Sequence, residues 1–189
     1  ELPVDFPRLA VPDYTGQEVN FDLSPALTRQ VYDLARQAQT TAHVVIMAAY
    51  AILLAKYAGK NDITFEEGIA GRNYPEVEKL IGMFVNVIPI RSFPAGRKTF
   101  REFLGEMKAT LLKGYECQEY PVAELADELG LNIDPDLGFL QFDTGFVYQS
   151  MDIPQIRTAD WEMKIYPLSA AKGIARRELM MVVNEAPDR

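Results

Sequence analysis

The stretch Ile81-Gly82-Met83-Phe84-Val85-Asn86-Val87-Ile88-Pro89-Ile90-Arg91 lies near the middle of a 189-residue sequence and decides the fold. From residue 84 to residue 91 it is rich in branched side chains, with Val85, Val87 and Pro89 on one side, which predicts a β-strand. Proline has no backbone N–H to donate to a neighbouring strand, so Pro89 indicates an edge of the sheet or the end of the strand.

Helices are predicted on the N-terminal side of this strand. Ser24 and Pro25 are suited to the cap and the first position of an amphipathic helix that ends near residue 39. Thr40 or Thr41 can cap the next helix, which is apolar on nearly all sides and stops near Gly59. A helix of that kind belongs in the centre of a core, and a shorter one is predicted from Pro75 to Ile81.

Two more helices are predicted on the C-terminal side. Thr99 and Glu102 have the capping-box spacing, which predicts a long helix from there to about Glu116. Pro121 opens a short helix that Gly130 closes, and Leu125 and Leu129 are expected to face inward.

Further strands are predicted from alternation or aromatic enrichment, at Gln17–Leu23, Ile63–Phe65, Gln141–Gln149, Trp161–Tyr166 and Glu178–Asn184. The glycines of residues 66–73 predict a loop directly after Phe65. Strands interleaved with helices indicate an α/β fold, in which helices flank a mixed β-sheet.

The composition excludes several classes of function. A net charge of -8 makes nucleic acid and anionic lipid unlikely partners, and the basic spot at Arg176-Arg177 near Lys172 is too small to change that. The one cysteine, Cys117, fits a reducing compartment, so a cytoplasmic location is expected. The run from Ala42 to Ala55 is short for a membrane span, and residues 1–7 do not resemble an export signal.

Several ordered motifs resemble one family, the condensation domains of nonribosomal peptide synthetases. Residues 81–86 with Arg91 resemble its signature I-G-x-F-V-N-T-x-x-x-R, and Gly71-Arg72-Asn73 is similar to its A-G-R-N turn. The other matches are Leu2–Arg8 with L-P-x-D-x-P-R, the helix from His43 to Gly59, Cys117–Pro121 with H-Q-D-x-P-F-E, and the strand Phe142–Gln149. The resemblance implies the C-terminal lobe of the domain, half of a chloramphenicol-acetyltransferase-like pseudodimer, over residues 1–189 and truncated at both ends.

The sequence departs from the family pattern at three places. Glu66-Glu67-Gly68 stands where the family usually has G-T-P or similar small residues. Cys117, Val122 and Ala123 replace the His, Phe and Glu of the next box, and only Asp136-Leu137 remains of the R-D-x-S-R-N box. These departures leave substrate preference open and are compatible with a degenerate member.

The resemblance implies a transferase of antibiotic biosynthesis, which joins two carrier-bound aminoacyl or peptidyl thioesters through an amide bond. The substrates arrive on phosphopantetheine arms, and the lobe would provide one wall of their tunnel. The implied partners are the N-terminal lobe, peptidyl carrier domains and an adenylation domain. The catalytic H-H-x-x-x-D-G motif is not in this sequence, which has one histidine, so the chain is not expected to catalyse condensation alone.

Two alternatives remain at this point. One is a non-catalytic condensation-like module that binds carrier domains or recruits another enzyme, and the other is the related epimerisation domain, against which the G-x-F-V-N form argues. In either case an isolated lobe is expected to expose an apolar face and to self-associate.

The resemblance implies that the residues lining the tunnel are Gly71, Arg72, Gly82, Phe84, Val85 and Asn86. The family boxes also include Arg91, Gln118, Glu119, Tyr120 and Pro121, for which a structural role is expected. Asn86 can orient an amide of the substrate or tie neighbouring backbone together, and the second role is favoured. Arg72 can contact a phosphate, cross to the other lobe or form a surface ion pair.

The remaining reactive side chains are given structural roles. His43 begins an apolar helix with no Asp, Glu or Ser nearby in sequence, and Cys117 has no histidine partner, so neither is predicted to be catalytic. Glu66 and Glu67 are expected to be solvated and to point to opposite faces of the chain. No His/Cys spacing supports a metal site.

Overall fold

The computed structural model describes residues 2–7, 13–131, 142–150, 161, 173, 175 and 177–185. The described helices are α1 Pro25–Gln37, α2 Ala42–Ala58, α3 Pro75–Glu78, α4 Phe100–Glu116 and α5 Val122–Glu128. The described strands are β1 Ile63–Ile69, β2 Asn86–Ser92, β3 Thr144–Gln149 and β4 Leu179–Asn184. This is the α/β class that the sequence predicts.

The four strands form one mixed sheet in the order β2-β1-β3-β4. β1 and β2 pair antiparallel from Ile63 opposite Ser92 to Ile69 opposite Asn86, whereas β3 runs parallel to both β1 and β4. β2 is therefore an edge strand of the described sheet, which agrees with the position predicted from Pro89.

The core lies between one face of this sheet and helices α2 and α4. Tyr50 of α2 packs edge-on against Phe65 of β1, with ring centroids 5.4 Å apart, and Phe146 of β3 completes the aromatic cluster. All three side chains are fully buried. Removing an aromatic side chain of this size from water contributes about 1.5–3 kcal/mol, so the cluster attaches α2 firmly to the sheet.

The predicted helix caps are confirmed. The hydroxyls of Ser24 and Thr41 accept hydrogen bonds from the backbone N–H groups of Leu27 and Val44, and Thr99 forms a complete capping box with Glu102. Gly59 ends α2 in the left-handed region at φ +64°.

A tight turn reverses the chain between α1 and α2. Gln39 takes a positive φ of 51°, and Lys108 of α4 donates to its carbonyl at 2.6 Å.

Among the described residues no single helix is long and apolar enough to span a membrane. Only α1 and α2 taken together, across the 103° bend between them, reach that length and hydropathy.

Some predictions were wrong. Residues 17–23 form no strand, because none of the four described strands pairs with them, and Val19 and Phe21 are 84% and 74% exposed. β1 continues through Glu66, Glu67 and Gly68 to Ile69 because β2 and β3 supply backbone partners on both sides.

Other predictions need smaller corrections. α3 stops at Glu78, so the helix predicted to reach Ile81 is shorter. Leu129 is exposed, and Ala126 is the buried residue of α5. Of the predicted strand Trp161–Tyr166 only Trp161 belongs to the described residues, and Gln141 also lies outside them.

Candidate functional site

Residues 70–85 connect β1 to β2 and are called the β1–β2 loop below. Its two arms touch at Gly71, which has a φ of +65°. A Cβ atom on residue 71 would lie 1.8 Å from the carbonyl oxygen of Phe84, far inside van der Waals contact. Only glycine allows this conformation together with this approach, so the G-R-N turn holds the I-G-x-F-V-N segment in place.

Arg72 organises the inside of the loop. Its guanidinium donates to the carbonyl oxygens of Val77, of Leu80 at 2.9 Å and of Gly82 at 3.3 Å, and it lies 4.3 Å from the centre of the Phe84 ring. The sequence left open a surface ion pair for Arg72, but its partners among the described residues are backbone carbonyls. One planar cation instead adds hydrogen bonds to carbonyls of α3 and of the turn that follows it.

The apolar side chains of the loop project outward. Ile81 is fully exposed, Met83 is 91% exposed and Val85 is 63% exposed, whereas Phe84 between them packs under Arg72. Every second residue therefore contributes to an apolar edge on a backbone that Gly71 and Arg72 hold from within. We call Ile81, Met83 and Val85 the apolar edge.

Asn86 has a structural role at the start of β2. Its side-chain amide donates to the carbonyl of Gln118 at 2.8 Å, and its Oδ1 accepts the backbone N–H of Val87 at 2.8 Å. Gln118 in turn donates to the carbonyl of Tyr115 at 2.8 Å. The asparagine thus ties the edge strand to the turn after α4.

The remaining box residues lie around the same turn, with one exception. Tyr74 donates to the carboxylate of Glu119 at 2.8 Å, which joins the β1–β2 loop to that turn. A hydrogen bond to Glu128 raises the pKa of Tyr120, and Pro121 precedes α5 as its N-cap residue. Arg91 lies at the far end of β2, where it forms a two-pronged ion pair with Asp62.

The structure thus brings the predicted residues together in two clusters. Gly71, Arg72, Gly82 and Phe84 form the inside of the loop, and Val85 lies on its apolar edge. Asn86, Gln118 and Glu119 form the brace behind it, with Tyr120 and Pro121 next in sequence.

Sequence reasoning missed a buried ion pair on the central strand. Glu66 was expected to be solvated, but its side chain is 6% exposed and accepts from Arg177 Nε at 2.6 Å and from Nη2 at 2.8 Å. Gly145 on β3 leaves room beside it, because a Cβ there would meet Glu66 at 3.0 Å. The sequence did contain two hints of this pair, the carboxylate at an unusual position and the basic spot around Arg177. Only the three-dimensional fold brings the two side chains together.

A second buried pair lies on the opposite face of β1. Glu67 was also expected to be solvated, yet its side chain is 2% exposed and its Oε1 lies 2.9 Å from His43 Nε2. Burial raises the pKa of Glu67, and the contact with His43 partly offsets that rise. Burial and the nearby Glu67 raise the pKa of Tyr115 to about 12. The two glutamates do point to opposite faces, as the alternation predicts.

Cys117 is exposed at the end of α4 and is a free thiol. Among the described residues no three His, Cys, Asp or Glu side chains come together as a metal site would need.

Comparison with known proteins gives one consistent result. Residues 1–180 match the family model of the condensation domain. Tyrocidine synthase 3 of Brevibacillus parabrevis is 39% identical over 184 residues, which are 97% of this chain and 3% of that protein. Surfactin synthase subunit 2 of Bacillus subtilis (strain 168) is 38% identical over 181 residues, 96% of this chain and 5% of that protein.

Solved structures share the fold at lower identity. A four-domain nonribosomal peptide synthetase bound to AMP and glycine has a TM-score of 0.73 at 21% identity, over 84% of this chain and 13% of the other. The X-domain in complex with OxyB from teicoplanin biosynthesis has a TM-score of 0.74 at 19% identity, over 98% of this chain and 40% of the other. The chain therefore spans a small part of the proteins that it matches.

Proposed function

This chain belongs to the condensation domain family of nonribosomal peptide synthetases, and we propose that residues 1–189 are the C-terminal lobe of a domain that forms amide bonds between carrier-bound thioesters. In this proposal the lobe supplies one wall of the substrate tunnel. The β1–β2 loop is that wall, and the apolar edge faces the N-terminal lobe and the phosphopantetheine arm of the substrate.

The observation that carries this proposal is the construction of the β1–β2 loop. Arg72 and Gly71 fix its backbone from inside, while Ile81, Met83 and Val85 remain exposed. Ordering a loop before contact lowers the entropy that binding must overcome, so such a loop is suited to receive a partner surface. The sequence has one histidine, and it lies at the start of α2 beside the buried Glu67, not in the β1–β2 loop.

The chemistry assigned to the domain requires a group that positions or deprotonates the attacking amine. We assign that group to the H-H-x-x-x-D-G motif of the N-terminal lobe. Peptidyl carrier domains would deliver both substrates on phosphopantetheine arms, and an adenylation domain would load them. A cytoplasmic location accompanies this assignment.

The test uses a complete condensation domain that contains this chain, with loaded carrier proteins and dipeptide formation as the readout. Met83→Asp places a charge on the apolar edge and is expected to lower the rate at least about tenfold, because a charge facing an apolar partner loses its hydration. Leu112→Asp is the matched control, since Leu112 is an exposed apolar residue of α4. Equal rates for both variants at equal melting temperatures would refute the assignment of the apolar edge.

One observation favours a second candidate, a condensation-like module that binds carrier domains without catalysis. Both ends of the Asn86 amide are engaged, Nδ2 with the Gln118 carbonyl and Oδ1 with the Val87 N–H, so the side chain is held against neighbouring backbone and is not free to turn toward a substrate. A complete domain that binds loaded carriers but forms no dipeptide would support this candidate over the enzyme.

A further inference from the structure

A cavity of about 820 Å³ lies apart from the β1–β2 loop, at the carboxyl ends of β3 and β4. Its wall includes Arg29, Tyr32 and Arg36 of α1, His43 of α2, Tyr148 of β3 and Glu185 after β4. β1, β3 and β4 run parallel, and in α/β sheets ligands bind outside the carboxyl ends of such strands. The position of the cavity is therefore one that small molecules use in this class of fold.

Two stacked rings line this cavity, with a buried carboxylate behind them. The ring of Tyr148 stacks on His43 with centroids 4.9 Å apart, and Glu67 lies behind the imidazole. Oε2 of Glu67 has no hydrogen-bond partner among the described residues, and Nε2 of His43, although 2.9 Å from Oε1, makes no well-aligned hydrogen bond with it. A buried pair of this kind seldom stabilises a fold more than apolar side chains would, which favours a role in binding.

Among the described residues, the charges around the cavity leave one cation without a partner. Arg36 pairs with Asp33, and the hydroxyls of Tyr32 and Tyr148 both donate to Glu185. Arg29 makes no hydrogen bond or ion pair with any part of the chain that the structure describes. The N-terminus of α2 lies on the same wall and adds to the positive potential there.

We propose that this cavity binds a small organic anion, a carboxylate or a phosphate ester, whose flat apolar body packs on Tyr148 and His43. Arg29 pairs with the anionic group, and the imidazole held by Glu67 provides a second polar contact. The carboxylate at residue 67 is one of the places where this sequence departs from the family pattern. The site depends on neither the tunnel nor a carrier domain.

The single histidine makes the test direct, because the imidazole of His43 gives one set of NMR signals in the 189-residue chain. Benzoate and phenyl phosphate are titrated as probes, with benzylamine as the probe of opposite charge. We expect saturable shifts with at least one of the two anions and none with benzylamine. The anion with the lower dissociation constant shows whether the site prefers a carboxylate or a phosphate ester.

Arg29→Gln is expected to raise the dissociation constant about tenfold, as the loss of one charge-assisted hydrogen bond does. Arg97→Gln is the matched control, since Arg97 is also exposed and lies outside this cavity. Both positions are on the surface, so both variants are expected to fold. Shifts that do not saturate, equal binding of benzylamine, or an Arg29→Gln variant that binds like the Arg97→Gln control would overturn the proposal.

Discussion

Gly71 and Gly59 offer a matched pair of substitutions that isolates the close contact inside the β1–β2 loop. The two glycines have almost the same backbone conformation, with φ of +65° and +64°. They differ in their surroundings, because a Cβ at Gly59 meets nothing within 4 Å, whereas a Cβ at Gly71 meets the Phe84 carbonyl at 1.8 Å.

The left-handed conformation alone costs an alanine on the order of 1 kcal/mol, and this is the expected effect of Gly59→Ala. Gly71→Ala carries the same cost and must also displace the backbone at Phe84. Backbone shifts forced by added atoms cost typically about 1–3 kcal/mol. We therefore expect Gly71→Ala to lower the free energy of unfolding by about 2–4 kcal/mol in total.

Urea unfolding followed by circular dichroism measures both variants against the parent chain. A difference of at least about 1 kcal/mol between them supports the contact between the two arms of the loop. Equal losses for the two variants would show that the G-R-N turn does not hold the I-G-x-F-V-N segment, and the construction of the tunnel wall would be refuted with it.

Three further predictions concern charged side chains. Arg72→Lys keeps the charge but not the planar fork, so trypsin should cut after Lys79 several-fold faster with little change in melting temperature, and an unchanged cleavage rate would count against the role of the guanidinium. Arg177→Ala leaves Glu66 buried without its ion-pair partner and should lower the free energy of unfolding by about 3–5 kcal/mol, most of which Glu66→Leu combined with Arg177→Met should restore; a single-variant loss below about 1 kcal/mol would contradict the pair. Because burial raises the pKa of Glu67, its contribution to stability is complete below the ordinary glutamate pKa of about 4.3 and declines as the pH rises through the higher folded value. The stability of the parent chain relative to Glu67→Gln should therefore fall in urea titrations as the pH rises above about 4.3, and a constant difference would contradict the buried ionisation.

Local signals were sufficient to predict most of the secondary structure. Ser24, Thr41 and Thr99 each satisfy an N–H group within their own helix turn, so their caps could be recognised from a few neighbouring residues. Pro89 likewise indicates an edge strand by itself, because proline has no backbone N–H to donate to a neighbouring strand. The alternating pattern of residues 17–23 is not sufficient to predict a strand, because a strand forms only where another strand pairs with it.

The charged interior could not be predicted for the same reason. Glu66 and Arg177 are 111 positions apart in sequence, and Glu67 meets His43 only after α2 has packed on β1. A carboxylate next to another carboxylate is normally a sign of a solvated surface. Here both carboxylates are buried because β1 is an interior strand of the sheet with buried side chains on both faces.

The role of Arg72 could not be predicted from the sequence either. A glycine followed by an arginine indicates an anion contact or an ion pair as readily as a loop brace. The backbone carbonyls of Val77, Leu80 and Gly82 decide between these interpretations, and their convergence depends on the three-dimensional course of the loop.

The central claim is that this chain forms one wall of a cleft whose reacting histidine belongs to the other lobe, and reconstitution tests it most directly. The 189-residue chain is assayed for dipeptide formation with loaded carrier proteins, alone and together with an N-terminal lobe that bears the H-H-x-x-x-D-G motif. We predict product only from the combination, and no loss of that product when His43 is changed to Gln. Product from the chain alone that disappears in the His43→Gln variant would contradict the claim.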